Sequence, residues 1–247
     1  MSGSYERVDP YIIPHLQAHK WFEVIVYHIE SKLWFDQSYT DGIVREFVER
    51  KLIARGDTAF DLGSNSGVIT LPMAMLAGPE GHVHAFDPYP WNAAATAANA
   101  HINHFYNVTA HAVGVSNQTQ RILVNPNDSR SYSESKEQNS QSLDIRNIEE
   151  FMILAPSFLK IDIEGAEYDL FKDVNANVFK SVKSAVLEFH PMWLTPRGVN
   201  CVEALKNIEK SGFDLHYSSY EADKFDTNTY SEAMGHLFWL KRRTALP

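Results

Sequence analysis

The chain has 247 residues, of which 44% are hydrophobic and 21% are charged, a composition typical of a globular protein that buries a substantial core. Its formal net charge of −9 argues against general nucleic-acid binding, which usually needs a basic face. Its single cysteine, Cys201, excludes an internal disulfide, which fits a reducing compartment. No apolar run approaches the roughly 18 residues of a membrane span. We therefore expect a cytoplasmic protein without a membrane partner.

The N-terminal part of the chain is predicted to precede the main domain. Residues 1–20 contain two prolines and little periodicity, which indicates an arm or cap. Residues 23–28 have the pattern of a strand, and apolar residues recur at helical spacing over 41–52. We therefore assign residues 1–55 to a cap with a lead-in helix.

From residue 56 onward, short apolar runs alternate with helical segments, a pattern typical of α/β proteins. Helices are predicted over residues 68–76, 91–102 and 202–211. Seven strands are predicted over residues 58–62, 82–86, 108–115, 158–163, 185–189, 213–217 and 236–240. This order predicts one compact domain over residues 56–247, built on a Rossmann-like, doubly wound sheet that is mostly parallel and has an antiparallel C-terminal strand.

One polar segment interrupts this alternation. Residues 125–142 contain six serines and no aliphatic residue, which predicts a loop. A loop at the end of a strand can cover a substrate pocket, because such loops often carry specificity. An insertion without a role is the alternative, and the sequence leaves both interpretations open.

A glycine-rich turn follows the first strand of the predicted sheet. The sequence FDLGSNSG places Asp61 near the end of an apolar run, with Gly63 and Gly67 after it. A second acid, Asp87, ends the next apolar run and is followed by Pro88. Neighbouring parallel strands end at the same edge of a sheet, where the carboxylate of Asp87 could accept hydrogen bonds from two ribose hydroxyls.

The composition of this turn indicates which nucleotide binds there. It lacks the G-x-G-x-x-G spacing that directs backbone N–H groups at a diphosphate, and the sequence has no P-loop motif. An acid within the turn suits a cationic ligand better than an anionic one. S-adenosylmethionine carries a ribose, an α-amino group and a sulfonium but no phosphate, so it is the predicted cofactor. An ordinary strand–turn–helix without a ligand is the alternative.

The segment LKIDIEGAE, residues 159–167, brings further acids to a strand end. Strand alternation predicts that Asp162 and Glu164 share a face and emerge at the carboxyl edge, where ligands bind. Two adjacent buried carboxylates are costly unless a cation lies beside them, which favours a functional role. In the alternative, Asp162 caps the next helix and Glu164 pairs with a lysine. For Glu167 the structural interpretation is preferred.

The segment AVLEFHP, residues 185–191, directs Glu188 and His190 to the same side of the next strand. These two residues are expected to converge with Asp162 and Glu164 at the sheet edge. Histidine titrates near neutral pH and can accept a proton from an attacking hydroxyl. The same four residues could hold a divalent cation, but histidine is not a typical Mg²⁺ ligand. A general base is therefore favoured, and a metal site is the less favoured alternative.

Together these motifs resemble the FkbM-type S-adenosylmethionine-dependent methyltransferases of class I. The resemblance rests on FDLGSNSG, FDPYPWN, NAAATAANAHIN, AVGVS, LKIDIEGAE and AVLEFHP, and it extends from about residue 57 to about residue 190. LKIDIEGAE is the most specific of these motifs. Two positions depart from the family pattern: Asp87 stands where glutamate is common, and Ser64 where alanine is common.

The resemblance implies a set of cofactor-binding residues. Asp61, Gly63, Asn65 and Gly67 would line the methionine part, and Asp87 would bind the ribose hydroxyls. Ala112 and Val113 would lie near the adenine. The predicted cofactor site is completed by Ser64, Ser66, Pro88 and Asp162.

The resemblance also implies methyl transfer to an oxygen of a small molecule such as a sugar or a natural product. The acids at the site would repel a free carboxylate, so a hydroxyl acceptor is favoured over a carboxyl, with His190 or Asp162 as the base and Glu164 and Glu188 beside them. The alternatives are a binding or regulatory domain without catalysis and, less favoured because G-x-G-x-x-G is missing, an NAD-dependent oxidoreductase. A homodimer is compatible with the sequence, but no feature requires one.

Overall fold

The structure is a computed structural model that describes residues 7–28, 42–124, 140–217, 224–231 and 237–243. Its strands are β1 (Arg7–Gln17), β2 (Lys20–His28), β3 (Thr58–Leu62), β4 (His82–Phe86), β5 (Val108–His111), β6 (Gly114–Ser116), β7 (Gln120–Val124), β8 (Gln141–Asn147), β9 (Phe158–Ile161), β10 (Ser184–Glu188), β11 (Phe213–Tyr217) and β12 (Leu237–Arg242). Its helices are α1 (Gly42–Glu49), α2 (Thr70–Ala77), α3 (Pro90–Ile102), α4 (Glu167–Phe171), α5 (Pro191–Leu194) and α6 (Cys201–Lys210).

The central sheet has seven strands in the order β11-β12-β10-β9-β3-β4-β5. All neighbouring pairs are parallel except those of β12, which runs antiparallel to both β10 and β11. The Rossmann-like fold predicted from the sequence is confirmed, including its antiparallel C-terminal strand. Leu62 pairs with Ile161 on one side and with Phe86 on the other, so β3, β4 and β9 end at the same level.

Apolar side chains cover both faces of this sheet, as expected for strands that read as continuous hydrophobic runs. The larger core lies on one face and includes Phe60, Leu159, Leu170, Leu187 and Leu205. The core on the other face includes Phe47, Ala59, Met73, Phe158 and Val186. Because β3, β9 and β10 are buried on both faces, polar groups can reach solvent there mainly at the strand ends, and the predicted site residues lie at or just beyond the ends of these strands and of β4.

Regular structure begins earlier than the sequence indicated. Within the arm or cap predicted over residues 1–20, β1 pairs with β2 to form an antiparallel hairpin. Its inner face buries Phe22, Val24 and Val26 against Leu71 of α2 and Ala100 of α3. The two prolines of β1 misled the prediction, since an edge strand tolerates proline where a central strand does not.

The segment between β5 and β9 also differs from the prediction. The strand predicted over residues 108–115 is interrupted at residues 112–113, and its second half, β6, belongs to a separate sheet with the order β6-β8-β7. Most of the predicted polar loop, residues 125–139, lies outside the described residues. Gln141 and Ser142 are not loop residues, because they begin β8.

The strands predicted to reach residues 163 and 189 end earlier, at Ile161 and Glu188. Asp162, Glu164 and His190 therefore lie in the connections just beyond the sheet. In the described part of the chain, no helix is both long and apolar enough to cross a membrane.

Candidate active site

The turn after β3 needs glycine for two reasons. Gly63 has a φ of 78°, in the left-handed region, and a Cβ at this position would lie 1.7 Å from the carbonyl oxygen of Asp162. The backbone N–H groups of Gly63 and Ser64 both donate to the carbonyl of Phe86, at 2.9 Å each. The turn is thus held between the ends of β4 and β9, with no room for a larger residue.

Polar side chains of α3 fix the rest of the turn. Thr96 donates its hydroxyl to the carbonyl of Asn65 at 2.9 Å, and Asn99 donates its amide to the carbonyl of Ser66 at 2.7 Å. The side chains of Ser64 and Ser66 are buried, whereas Asn65 is exposed. The turn therefore presents Asn65 and backbone to a ligand.

Asp87 follows β4 and is 6% exposed. Its Oδ2 accepts from the backbone N–H of Asn65 at 2.9 Å, and its Oδ1 accepts from the backbone of Tyr89 at 2.9 Å and from Asn92 at 3.0 Å. Asn92 in turn accepts a hydrogen bond from Tyr27 of the N-terminal hairpin. Burial raises the pKa of Asp87 to about 7, although these hydrogen bonds and Lys160 lower it.

Asp61 is completely buried, and its carboxylate is held by the protein. Its Oδ2 accepts from the hydroxyl of Thr70 at 2.5 Å, and its Oδ1 lies 3.1 Å from Nζ of Lys160. Burial favours the neutral amine of Lys160, but the charges of Asp61 and Asp162 outweigh it and raise the pKa of Lys160 above its ordinary value. Asp61 thus lies beneath the turn that the sequence assigned to the cofactor.

The four residues predicted to converge do so, with the three carboxylates around the imidazole of His190. The side chain of His190 is 8% exposed. Its Nε2 lies 3.6 Å from Asp162, 3.7 Å from Glu164 and 3.9 Å from Glu188. These distances exceed a hydrogen bond, and the three carboxylates are 25%, 41% and 43% exposed. The cluster is therefore open on the side where a ligand can approach.

Glu167 holds the other nitrogen of this imidazole. Its Oε1 lies 2.9 Å from Nδ1 of His190 and also accepts from the backbone N–H groups of Ile163 at 3.3 Å and Gly165 at 3.2 Å. Glu167 is 1% exposed. A buried carboxylate on Nδ1 fixes the ring orientation and places the proton there when the ring is neutral, which leaves the Nε2 lone pair directed at the cluster.

The carboxylates change the protonation of the cluster. Burial alone would lower the pKa of His190, but its hydrogen bond to Glu167 and the charges of Glu167, Asp162 and Glu164 raise it to about 9. Burial and the charge of Asp162 raise the pKa of Glu164. Trp193 of α5 donates its indole N–H to Glu164 at 2.9 Å, which fixes that carboxylate at the rim.

Three of these residues could bind a cation. Asp162, Glu188 and His190 each offer one ligand atom, and the three atoms lie within 4.8 Å of one another. Nε2 of His190 lies 3.6 Å from Asp162 and 3.9 Å from Glu188, separations that two ligands of one cation can have.

The remaining predicted cofactor residues lie near this edge. Ala112 is exposed and Val113 half-buried in the bend between β5 and β6, and Pro88 is half-buried directly after Asp87. Pro88 also packs near Gly114, where a Cβ would lie 3.3 Å from the proline ring. These residues border Asp87 on the side away from the acid cluster.

Two residues of LKIDIEGAE have contacts that the sequence did not predict. Glu167 was assigned a structural role, yet it orients His190, and Lys160 was assigned none, yet it is buried against Asp61 and Asp162. One signal was available for Lys160, because a lysine inside a buried strand needs an acidic partner. For Glu167 the only signal in the sequence was its place five residues after Asp162.

A sequence profile described as "Methyltransferase FkbM domain" matches residues 61–215, more than half of the chain. The chain belongs to the FkbM-type S-adenosylmethionine-dependent methyltransferase family. The resemblance drawn from the sequence motifs is thereby confirmed. No curated protein matches the chain significantly.

The solved structures to which the chain is similar are distant in sequence, and their TM-scores are below 0.5. A SAM-dependent O-methyltransferase from Thermotoga maritima has a TM-score of 0.48 at 13% identity, covering 96% of this chain and 79% of its own. A structure described as a putative rRNA-methylase from Clostridium thermocellum has a TM-score of 0.46 at 12% identity, covering 81% and 93%. The P. horikoshii TYW2 structure, "in complex with MeSAdo", has a TM-score of 0.45 at 13% identity, covering 94% and 70%.

The residues present fit the cofactor of the family. The glycine-rich turn presents the exposed Asn65 at the sheet edge, and Asp87 provides a carboxylate at the adjacent strand end. When bound, S-adenosylmethionine would supply an electrophilic methyl group. Asn65 and Asp87 would hold it, with Asp162 at the side that faces His190.

Proposed function

We propose that this chain transfers a methyl group from S-adenosylmethionine to a hydroxyl oxygen of a small molecule. The supporting observation is the arrangement of His190, whose Nδ1 is held by buried Glu167 while its Nε2 faces three partly exposed carboxylates. This cluster adjoins the glycine-rich turn, because the backbone of Asp162 packs directly against Gly63.

The chain's contribution to the reaction is placement and proton transfer. A sulfonium methyl is already an excellent electrophile, so the protein mainly has to hold an oxygen in line with it. Only the neutral form of His190 can accept a proton at Nε2, and this form becomes more abundant as the pH rises toward the pKa of about 9. The acceptor hydroxyl would give its proton to that nitrogen and its oxygen would bond to the methyl carbon, while the electron pair of the broken carbon–sulfur bond would stay on sulfur. Glu167, Asp162 and Glu164 stabilise the imidazolium that results.

The charges at the site favour a hydroxyl over a carboxylate acceptor. Asp162, Glu164 and Glu188 surround the open side of His190. An anionic acceptor would be repelled by these carboxylates, whereas a neutral hydroxyl could donate a hydrogen bond to one of them. A carboxylate acceptor would also need no base, which would leave the Glu167–His190 pair without a role.

A second candidate is a cation-assisted version of the same transfer. The ligand atoms of Asp162, Glu188 and His190 are close enough to hold a divalent ion that would bind the acceptor oxygen directly. In that case His190 would be a ligand instead of the base. Turnover would then disappear in EDTA and return with Mg²⁺ or Mn²⁺.

The proposal is tested with S-adenosylmethionine carrying a deuterated methyl group and acceptor sets that differ only in having a hydroxyl, carboxyl or amine at one position. Products are assigned by NMR, with and without EDTA. We expect O-methyl ethers, and a rate that falls about 100-fold or more in His190→Gln. His101→Gln, which changes an exposed histidine at the end of α3, is the matched control and should retain the wild-type rate.

Several outcomes would contradict this assignment. Labelled methyl on nitrogen or on a carboxylate would exclude hydroxyl methylation, and an unchanged rate in a folded His190→Gln variant would remove the base. Cofactor binding without transfer to any acceptor would support a binding or regulatory domain instead.

A further inference from the structure

Lys160 is a buried cation that the proposed reaction does not use. It lies in the middle of the sheet, on β9, and is 1% exposed. Its backbone neighbours Phe158 and Leu159 are fully buried, so the ammonium group must find its partners within the protein.

The Lys160 ammonium joins the ends of two strands. It donates to the carbonyl of Gly63 at 2.6 Å and to that of Leu62 at 3.3 Å, at the end of β3. It also lies 3.1 Å from Oδ1 of Asp61 and 3.6 Å from Oδ2 of Asp162. One charged group thus contacts the backbone of the glycine-rich turn, the acid beneath it and the first acid of the His190 cluster.

We infer that Lys160 is a positioning residue for the methyl donor. It holds the Gly63 carbonyl and the Asp162 carboxylate in place, and it offsets the negative charge of that carboxylate beside the sulfonium. This inference rests on the proposed function, because it assigns the cofactor to the edge formed by Gly63 and Asp162. A charge-assisted hydrogen bond to a carbonyl is roughly twice as strong as a neutral one. Lys160 therefore fixes the turn more firmly than an apolar side chain of similar length would.

The simpler explanation is that Lys160 only neutralises Asp61. Removing one member of a buried ion pair leaves an uncompensated charge, so Lys160→Met alone could fail to fold. Replacing both members by neutral residues of similar size avoids that problem. Asp61→Asn, which keeps Lys160, is therefore compared with the double variant Asp61→Asn/Lys160→Met.

The measurement is calorimetric titration of both variants with S-adenosylhomocysteine and S-adenosylmethionine, after cooperative unfolding has been verified. We expect the double variant to bind both ligands at least about 10-fold more weakly than Asp61→Asn, as expected for loss of a charged hydrogen bond. Because a cation beside the sulfonium is removed, S-adenosylmethionine should lose less affinity than S-adenosylhomocysteine, by about 3-fold or more.

Equal affinities of the two variants for these ligands would overturn the inference. An equal loss of affinity for S-adenosylmethionine and S-adenosylhomocysteine would also overturn it and would assign Lys160 to the fold alone. If the double variant does not unfold cooperatively, Asp61→Asn/Lys160→Gln is measured against the same two outcomes. If the wild-type chain binds neither ligand, the proposed function fails first, and that result is distinct from any difference between the variants.

Discussion

The edge of the sheet carries two sets of charged residues that differ in how their charges are satisfied. Beneath the glycine-rich turn, Asp61 and Lys160 are 0% and 1% exposed by side-chain area, and they contact each other at 3.1 Å. Around His190, the carboxylates of Asp162, Glu164 and Glu188 are partly exposed and lie beyond hydrogen-bonding distance of Nε2. The inner pair is shielded from solvent, whereas the outer cluster is partly open to solvent and to a ligand.

From this contrast we expect the two sets of residues to have different roles. The inner pair shapes the backbone that would receive the cofactor, and the outer cluster would handle the acceptor and its proton. Asp162 belongs to both, because it lies 3.6 Å from Lys160 and 3.6 Å from His190. Substitutions on the inner side should therefore affect stability and cofactor binding, and those on the outer side should affect turnover.

The largest expected effect is on stability, in Gly63→Ala. The added Cβ would overlap the carbonyl of Asp162 and the backbone would remain at a positive φ, so we expect a loss of about 3 kcal/mol or more in the free energy of unfolding. Gly56→Ala is the matched control, since Gly56 has a φ of 85° but no atom within 4 Å of a built Cβ. Urea unfolding of the two variants separates steric overlap from backbone strain. An equal loss of unfolding free energy in Gly63→Ala and Gly56→Ala would contradict the packing described for the turn.

Glu167→Gln tests whether the outer cluster affects turnover without affecting cofactor binding. The glutamine keeps an oxygen near the backbone N–H groups of Ile163 and Gly165 but removes the charge that stabilises the His190 imidazolium. We expect turnover to fall about 100-fold while the affinity for S-adenosylhomocysteine stays unchanged. Glu203→Gln, an exposed position on α6, is the control. Loss of cofactor affinity together with turnover would argue against separate roles for the inner pair and the outer cluster.

Cofactor binding should depend on pH through Asp87. Its pKa is raised from 3.8 to about 7, so the carboxyl is mostly neutral at pH 6 and mostly ionised at pH 8. Ribose hydroxyls donate better to the ionised form, so affinity for S-adenosylhomocysteine should rise with pH, by about 10-fold over this interval. Asp87→Asn should abolish the dependence. A fall in affinity with rising pH would contradict the assignment of Asp87 to the ribose.

The smallest expected effect is that of Trp193→Phe. The substitution removes one hydrogen bond to Glu164 and keeps an aromatic ring against Gly165. We expect a loss of about 1 kcal/mol in transition-state stabilisation, visible as a several-fold drop in kcat/KM for the acceptor. Cofactor affinity should not change, and a change there would place Trp193 on the inner side of the site.

The fold and the positions of Asp61 and Asp87 near strand ends were largely readable from the sequence, because their signals are local. Apolar runs of about five residues, such as residues 58–62 and 82–86, end in Asp61 and Asp87 with glycine or proline after them. The exceptions depend on distant partners. The N-terminal hairpin exists because α2 and α3 offer an apolar surface to Phe22 and Val24, which no local pattern specifies.

The convergence of acids around His190 was readable in part. Strand alternation and the parallel order bring Asp162 and His190 together, but they give no information about which carboxylate contacts which ring nitrogen. Glu167 reaches Nδ1 of His190 only because the chain turns at Glu164 and Gly165, both at positive φ. The partners of Lys160 likewise follow from strand register, which the sequence of one strand does not determine.

The most direct test of this account is calorimetric titration of the chain at pH 8 with S-adenosylhomocysteine, alongside Asp87→Ala and His190→Gln. We expect one binding site in the wild type, an affinity about 10- to 100-fold weaker in Asp87→Ala, and an unchanged affinity in His190→Gln. Absence of binding by the wild type, or an equal loss in both variants, would contradict the separation of a cofactor side from an acceptor side.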